Sequence, residues 1–134
     1  MAFCFNQKVL FKHCDPAGIV FYPRYFEMMS DCVEAFFDHI GHPFELIHVS
    51  GGVPTAKIET RFLRPSRHGD LLHLDLNVTK VGNASMSLSI RTKCASEDRV
   101  HFTATLVNVD NAGKPSIWSR DLRAAFTSYL KSEN

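Results

Sequence analysis

Residues 22–43 read YPRYFEMMSDCVEAFFDHIGHP, and the spacing of their apolar side chains decides the architecture. Phe26, Met29, Val33, Phe36, Phe37 and Ile40 recur three and four residues apart, while Arg24, Glu27, Asp31, Glu34 and Asp38 fill the other face, which is the period of an α-helix. Pro23 suits the first turn, where a missing N–H removes no intrahelical bond, and Gly41 and Pro43 stop the helix. A stripe this rich in Phe and Met makes the helix a central packing element rather than a surface decoration.

Outward from this helix the period changes to two. Toward the N-terminus, Phe3, Phe5, Val9 and Phe11 share one parity against Cys4, Asn6 and Lys8, predicting a half-buried strand that ends near Lys12-His13. Toward the C-terminus, past a loop containing Gly51, Gly52 and Pro54, Ala56, Ile58, Thr60 and Phe62 alternate with Lys57, Glu59 and Arg61. Leu72, Leu74, Leu76 and Val78 alternate with His73, Asp75, Asn77 and Thr79. Met86, Leu88 and Ile90 alternate with Ser85, Ser87, Ser89 and Arg91, and Val100, Phe102, Ala104 and Leu106 complete the set. The short connections Gly82-Asn83 and Ser96-Glu97-Asp98 predict antiparallel hairpins. Ser119 is placed to cap a final helix with Leu122, Ala125, Phe126, Tyr129 and Leu130 inward.

The resulting order, βαββββα, predicts one α+β domain over residues 1–134. In it an antiparallel five-stranded sheet and a long apolar helix bury their faces against each other, and a sheet curled around a central helix satisfies that order. No repeat, linker or second domain is visible.

Composition narrows the function classes. Fifteen Lys plus Arg against fourteen Asp plus Glu give a net charge of +1, so no basic surface for nucleic acid is expected. Cys4, Cys14, Cys32 and Cys94 form no CxxC pair, as expected of free thiols in a reducing compartment. With no leader-like N-terminus and no apolar run long enough to cross a bilayer, a cytoplasmic protein without membrane contact is expected. Seven histidines show neither HExxH nor a Cys pair completing a zinc set, so no metal is expected. GxSxG, GxGxxG and GxxxxGK[ST] are likewise missing.

One segment carries chemistry. His13-Cys14-Asp15-Pro16-Ala17-Gly18-Ile19-Val20-Phe21-Tyr22-Pro23 sets an ionisable trio at a strand end, then a tight Pro/Gly loop, then a helix N-terminus. That N-terminus presents unpaired N–H groups and a positive dipole end, suited to an oxyanion developing from a carbonyl, with the Tyr22 N–H well placed to donate. Asp15, folded back by the loop, can attack the same carbonyl or activate water against it. The plain alternative is that Asp15, before a proline, organises a turn.

The nine residues Asp15-Pro16-Ala17-Gly18-Ile19-Val20-Phe21-Tyr22-Pro23 closely resemble the active-site segment of the 4-hydroxybenzoyl-CoA thioesterase family, and the element order resembles that family's hotdog fold over nearly the whole chain. The resemblance implies hydrolysis of an acyl-CoA, with Asp15 as nucleophile or general base and the helix N-terminus at Tyr22 polarising the thioester carbonyl. It implies an acyl group lying beside Gly18, Ile19, Phe21 and Tyr25 of one subunit and the strand around Thr60 of a second, in a homodimer or homotetramer. Coenzyme A enters as part of the substrate, and no cofactor is implied.

Two departures stand out. The turn that carries a basic cluster for the nucleotide phosphates in some of these enzymes reads Gly82-Asn83-Ala84 here, leaving Arg64, Arg67, His68, Lys80, Arg91 and Lys93 as candidates for that grip. The inward helix position that holds a carboxylate for the ring hydroxyl corresponds to Ser30. An aromatic or short acyl-CoA is therefore expected in place of the 4-hydroxybenzoyl substrate itself. The competing readings are a thioesterase acting on acyl carrier protein, a hotdog dehydratase, which needs a His base paired with a carboxylate, and a non-catalytic acyl-CoA binding protein.

Overall fold

The computed structural model describes residues 1–131. Strand β1 (Phe3–Lys8) leads through a single 3-10 turn (Phe11–His13) and a tight loop into helix α1 (Tyr22–His39). A short helix α2 (Phe44–Ile47) and strand β2 (Gly51–Gly52) precede β3 (Thr55–Phe62), β4 (Leu71–Val81), β5 (Ser85–Cys94) and β6 (Glu97–Val107). Strand β7 (Val109–Asp110) and helix α3 (Arg120–Ser128) follow. The five long strands form one antiparallel sheet in the order β1-β4-β5-β6-β3, and β2 pairs with β7 in a separate ribbon. The predicted βαββββα order holds. Elements α2, β2 and β7 are additions, each too short to display a period.

The core follows the alternation. Leu72, Leu74, Leu76 and Val78 of β4, Met86, Leu88 and Ile90 of β5, and Val100, Phe102, Ala104 and Leu106 of β6 are buried, as are Met28, Met29, Cys32, Val33, Phe36 and Phe37 of α1. Helix α3 adds Leu122 and Phe126, whose ring lies 4.9 Å from Trp118 and 5.7 Å from Phe37, and the Ser119 hydroxyl caps it by accepting the Leu122 N–H (3.2 Å). The β5–β6 hairpin turns through Ala95 (φ 48°) and Ser96 (φ 69°), a left-handed pair whose twist matches the strands it joins. Glu97 and Asp98, expected in that connection, therefore belong to β6.

Phe11, Leu130, Ile58 and Phe62 are more exposed than the pattern predicts. Phe11 is 81% exposed, because β1 ends at Lys8 and the 3-10 turn puts His13 inside instead. Leu130 is 41% exposed, one residue beyond Tyr129, which takes the inner position. The apolar parity of β3 does face inward, with Ile58, Thr60 and Phe62 opposite the buried Ala104, Phe102 and Val100 of β6. Yet Ile58 is 39% and Phe62 50% exposed, since β3 is an edge strand and α1 packs over β1 and β4. An open apolar groove is left between α1 and β3.

Candidate active site

Gly18 (φ 83°) allows the chain after Asp15 to reverse on itself. The Gly18 N–H donates to the Asp15 carbonyl (2.9 Å) and the Asp15 N–H to the Ile19 carbonyl (3.0 Å), while Cys14 and Val20 pair as a short antiparallel bridge. The Phe21 N–H donates to the His13 carbonyl (2.9 Å), clamping the loop at its base. The chain then enters α1 directly. Phe21 is the N-cap and offers no side-chain cap, and no acidic residue sits in the first turn. As the first helical residue, Tyr22 has an N–H without an intrahelical acceptor, and Pro23 has none to offer, so the positive end of α1 stands open beside the loop.

The half-buried Asp15 also serves the turn: its Oδ1 accepts the Ala17 N–H (2.9 Å). Its carboxylate opens on a cleft of about 330 Å³ shared with Lys12, Cys14, Pro16, Phe21 and Arg24. Arg24 is already engaged with Glu27 (2.6 Å) at an exposed site, where such a pair adds little stability. A second cleft, of about 290 Å³, lies between the start of α1 and the end of β3, lined by Ile19, Tyr22, Tyr25, Phe62, Leu63 and Arg64 among others. The Tyr22 and Tyr25 rings stand 6.2 and 6.0 Å from Phe62. A third hollow, of about 210 Å³, follows the same groove between Met29, Ser30 and Val33 of α1 and Thr55 of β3. A larger cavity, about 390 Å³, opens at the C-terminal end of α1 around His42 and Trp118 and includes none of these residues.

The expected site residues are thus only partly assembled within one chain. Asp15 and Phe21 share one cleft; Ile19, Tyr22 and Tyr25 share the next. Gly18 is exposed in the loop. Ser30, expected to point inward, is exposed at the rim of the third hollow, because the neighbouring Met28, Met29 and Cys32 take the core-facing positions. Thr60 is half-buried on β3, with its Oγ1 buried and unpartnered among the described residues. Phe62, Leu63 and Pro65, which wall the second cleft, were not singled out from the sequence as site residues; the alternation marked Phe62 only as apolar.

Beneath the loop, His13 is buried and its Nδ1 accepts the Leu10 N–H (2.8 Å), which assigns the neutral ring with its proton on Nε2. Burial, helped by the Lys12 charge, holds its pKa below the ordinary histidine value. Burial raises the Tyr25 phenol, while the nearby Ser66 opposes that shift without reaching hydrogen-bond geometry. Among the described residues no cluster of His, Cys, Asp or Glu is arranged to hold a metal, all four cysteines are unpaired, and no helix is long and apolar enough to cross a membrane.

The sequence model of the thioesterase-like superfamily matches residues 9–126. No curated protein matches in sequence. Among solved structures, a 1,4-dihydroxy-2-naphthoyl-CoA thioesterase from Synechocystis superposes with a TM-score of 0.88 at 16% identity, covering 95% of this chain and 96% of that one. A gentisyl-coenzyme A thioesterase gives 0.83 at 24% identity over 92% and 98% of the two chains. The dynemicin thioesterase gives 0.91 at 13% identity over 99% and 100%. At such identities the likeness establishes the fold: a hotdog, with the sheet packed against its long helix.

Proposed function

The chain belongs to the thioesterase-like superfamily, and on that premise we propose that it is an acyl-CoA thioesterase of the 4-hydroxybenzoyl-CoA thioesterase type, hydrolysing an aromatic or short acyl-CoA to the free acid and CoA. The observation that carries the reading is the coupling of Asp15 to the open positive end of α1 by one short clamped loop. A carbonyl held at the Tyr22 N–H has its developing oxyanion stabilised there, while the Asp15 carboxylate acts on the carbon.

Two routes balance. In one, Asp15 attacks, a C–O bond forms, the C–S bond breaks, and water then hydrolyses the mixed anhydride. In the other, Asp15 takes a proton from water as that water adds to the carbon, the C–S bond breaks, and the proton passes on to the departing thiolate or to bulk water. Both expel CoA thiolate, a good leaving group that needs no dedicated acid, and both return Asp15 as carboxylate.

The acyl group is assigned to the seam between two subunits, beside Gly18, Ile19, Phe21 and Tyr25 of one and the strand around Thr60 of the other, with Ser30 further along the α1 groove. A second copy is assigned to the exposed edge of β3, joining two sheets edge to edge in a homodimer or homotetramer; an unpaired apolar edge otherwise invites uncontrolled association. Four unpaired cysteines favour the cytoplasm. No resident cofactor is needed. One observation favours a non-catalytic acyl-CoA binding protein instead, namely that the Asp15 carboxylate supports the loop through Ala17.

The test is release of CoA thiol from aromatic, branched and straight-chain acyl-CoAs by wild type and Asp15→Asn. Turnover of one class that vanishes in the variant supports the thioesterase; binding without turnover in either protein supports the binding protein.

A further inference from the structure

We infer that Arg99, on β6 and across the sheet edge from the loop, is a positioning residue that holds the Asp15 loop in place through the Leu63–Asp70 segment. The inference rests on the thioesterase reading only for its catalytic consequence.

The Arg99 side chain is 13% exposed, so its charge requires partners close at hand. Its Nη1 shares two hydrogens among Asp70 Oδ2 (2.8 Å), Ser66 Oγ (3.1 Å) and the Pro65 carbonyl (3.1 Å), and its Nε lies 2.7 Å from Glu97 Oε1 as an ion-pair contact without hydrogen-bond alignment. The Arg99 carbonyl meanwhile accepts the N–H groups of Leu63 (2.8 Å) and Arg64 (3.2 Å). One residue therefore grips the segment at its start, middle and end. Asp70 is fastened a second time, accepting the Arg67 N–H (2.9 Å), and that bond together with the Arg99 guanidinium holds its carboxyl below the usual carboxylate range.

The catalytic loop rests on this same segment. The carbonyl of the fully buried Ser66 accepts the Val20 N–H (2.9 Å), and Arg67 bridges Ile19, whose carbonyl in turn accepts the Asp15 N–H (3.0 Å). The path from guanidinium to Asp15 runs from Arg99 to Ser66 directly and to Arg67 through Asp70, from these to Val20 and Ile19, and from the Ile19 carbonyl to the Asp15 N–H. Leu63, Arg64 and Pro65, anchored by Arg99, also form the wall facing Ile19, Tyr22 and Tyr25. Lysine at position 99 keeps the charge but has one ammonium in place of a flat guanidinium, which reaches Asp70, Ser66 and Pro65 through Nη1 and faces Glu97 through Nε.

The experiment measures amide hydrogen exchange along the whole chain together with thiol release, for wild type, Arg99→Lys and Asp70→Asn. The inference expects exchange over residues 14–21 to quicken in both variants while the paired centre of β4 and β5 keeps its protection. It also expects kcat to fall by roughly a factor of 10 to 100, because small misplacements of a reacting group are this costly, with KM changing far less. In Arg99→Ala, millimolar guanidinium ion should restore part of the rate. Exchange that quickens only within residues 63–70, or uniformly over the sheet, overturns the inference, since the residue is then a local or a global brace. If the wild type releases no thiol, the thioesterase reading falls and exchange over residues 14–21 alone decides whether Arg99 positions the loop.

Discussion

Replacing Asp15 by Asn and by Ala separates a catalytic carboxylate from a turn-forming one. The structural share of the side chain is small and can be sized: one hydrogen bond, from the Ala17 N–H at 2.9 Å, on a half-buried loop. Such a bond contributes about 0.5–1.5 kcal/mol net. Asparagine retains an Oδ1 acceptor in the same place, so Asp15→Asn should change stability by no more than about 0.5 kcal/mol. Asp15→Ala gives up the bond and should lower Tm by roughly 2–6 °C. Neither loss unfolds a domain stable by several kcal/mol. The chemical share is larger. Removing a nucleophile or general base should cost at least about 100-fold in kcat/KM, equivalent to about 2.7 kcal/mol of transition-state stabilisation, and in both variants alike. The assays are thiol release on the best acyl-CoA, calorimetric Tm, and acyl-CoA binding by titration calorimetry. The reasoning is refuted if Asp15→Asn keeps its turnover within tenfold of wild type, or if its activity disappears together with its cooperative unfolding transition.

Further outcomes follow from the core and the buried titrating groups. Phe36 is fully buried against Phe3, Phe126 and Tyr129, with ring centroids 5.7, 6.5 and 5.1 Å away, so Phe36→Ala should cost about 3–5 kcal/mol in urea unfolding; a loss under about 1 kcal/mol contradicts its central place. His13 has its folded-state pKa pressed below the ordinary value of about 6.5, so the unfolded chain binds the extra proton first and stability falls as pH drops below that value. Tm measured from pH 7.5 downward should show this decline, and His13→Asn, which offers an amide oxygen to the Leu10 N–H, should flatten it; an unchanged slope assigns the decline to other groups. Burial pushes the Cys32 thiol up to about 12, so a disulfide reagent should label the exposed Cys4 in the native protein and spare Cys32, and rapid labelling of all four thiols excludes this packing.

Much of the candidate site's backbone geometry is legible in the sequence because it is local in the chain. A carboxylate, a Pro/Gly loop and a helix start within nine residues have only a few ways to fold, and the Gly18 reversal and open α1 N-terminus follow from residue types alone. Ser66, Asp70 and Arg99 were not legible in the same way. Arg99 lies 29 positions from Asp70 and 33 from Ser66, and in sequence it is one more charged residue near a hairpin. Its burial exists only once β6 has paired with β3 and the Leu63–Asp70 segment has closed over it.

The same division runs through the fold. Alternation and helical period are properties of consecutive residues, so the strands β3 to β6, the helix α1, the hairpin neighbours and the Ser119 cap can be read directly from the order of residues. Which apolar faces are covered depends on the order of strands in the sheet and on where α1 crosses it. Phe62 and Leu74 carry the same pattern, yet β4 lies under the helix and β3 at the open edge, so one ring is half exposed while the other side chain is sealed. A periodic pattern reports which face of an element is apolar; only packing against distant segments decides whether that face becomes core or stays open as a groove.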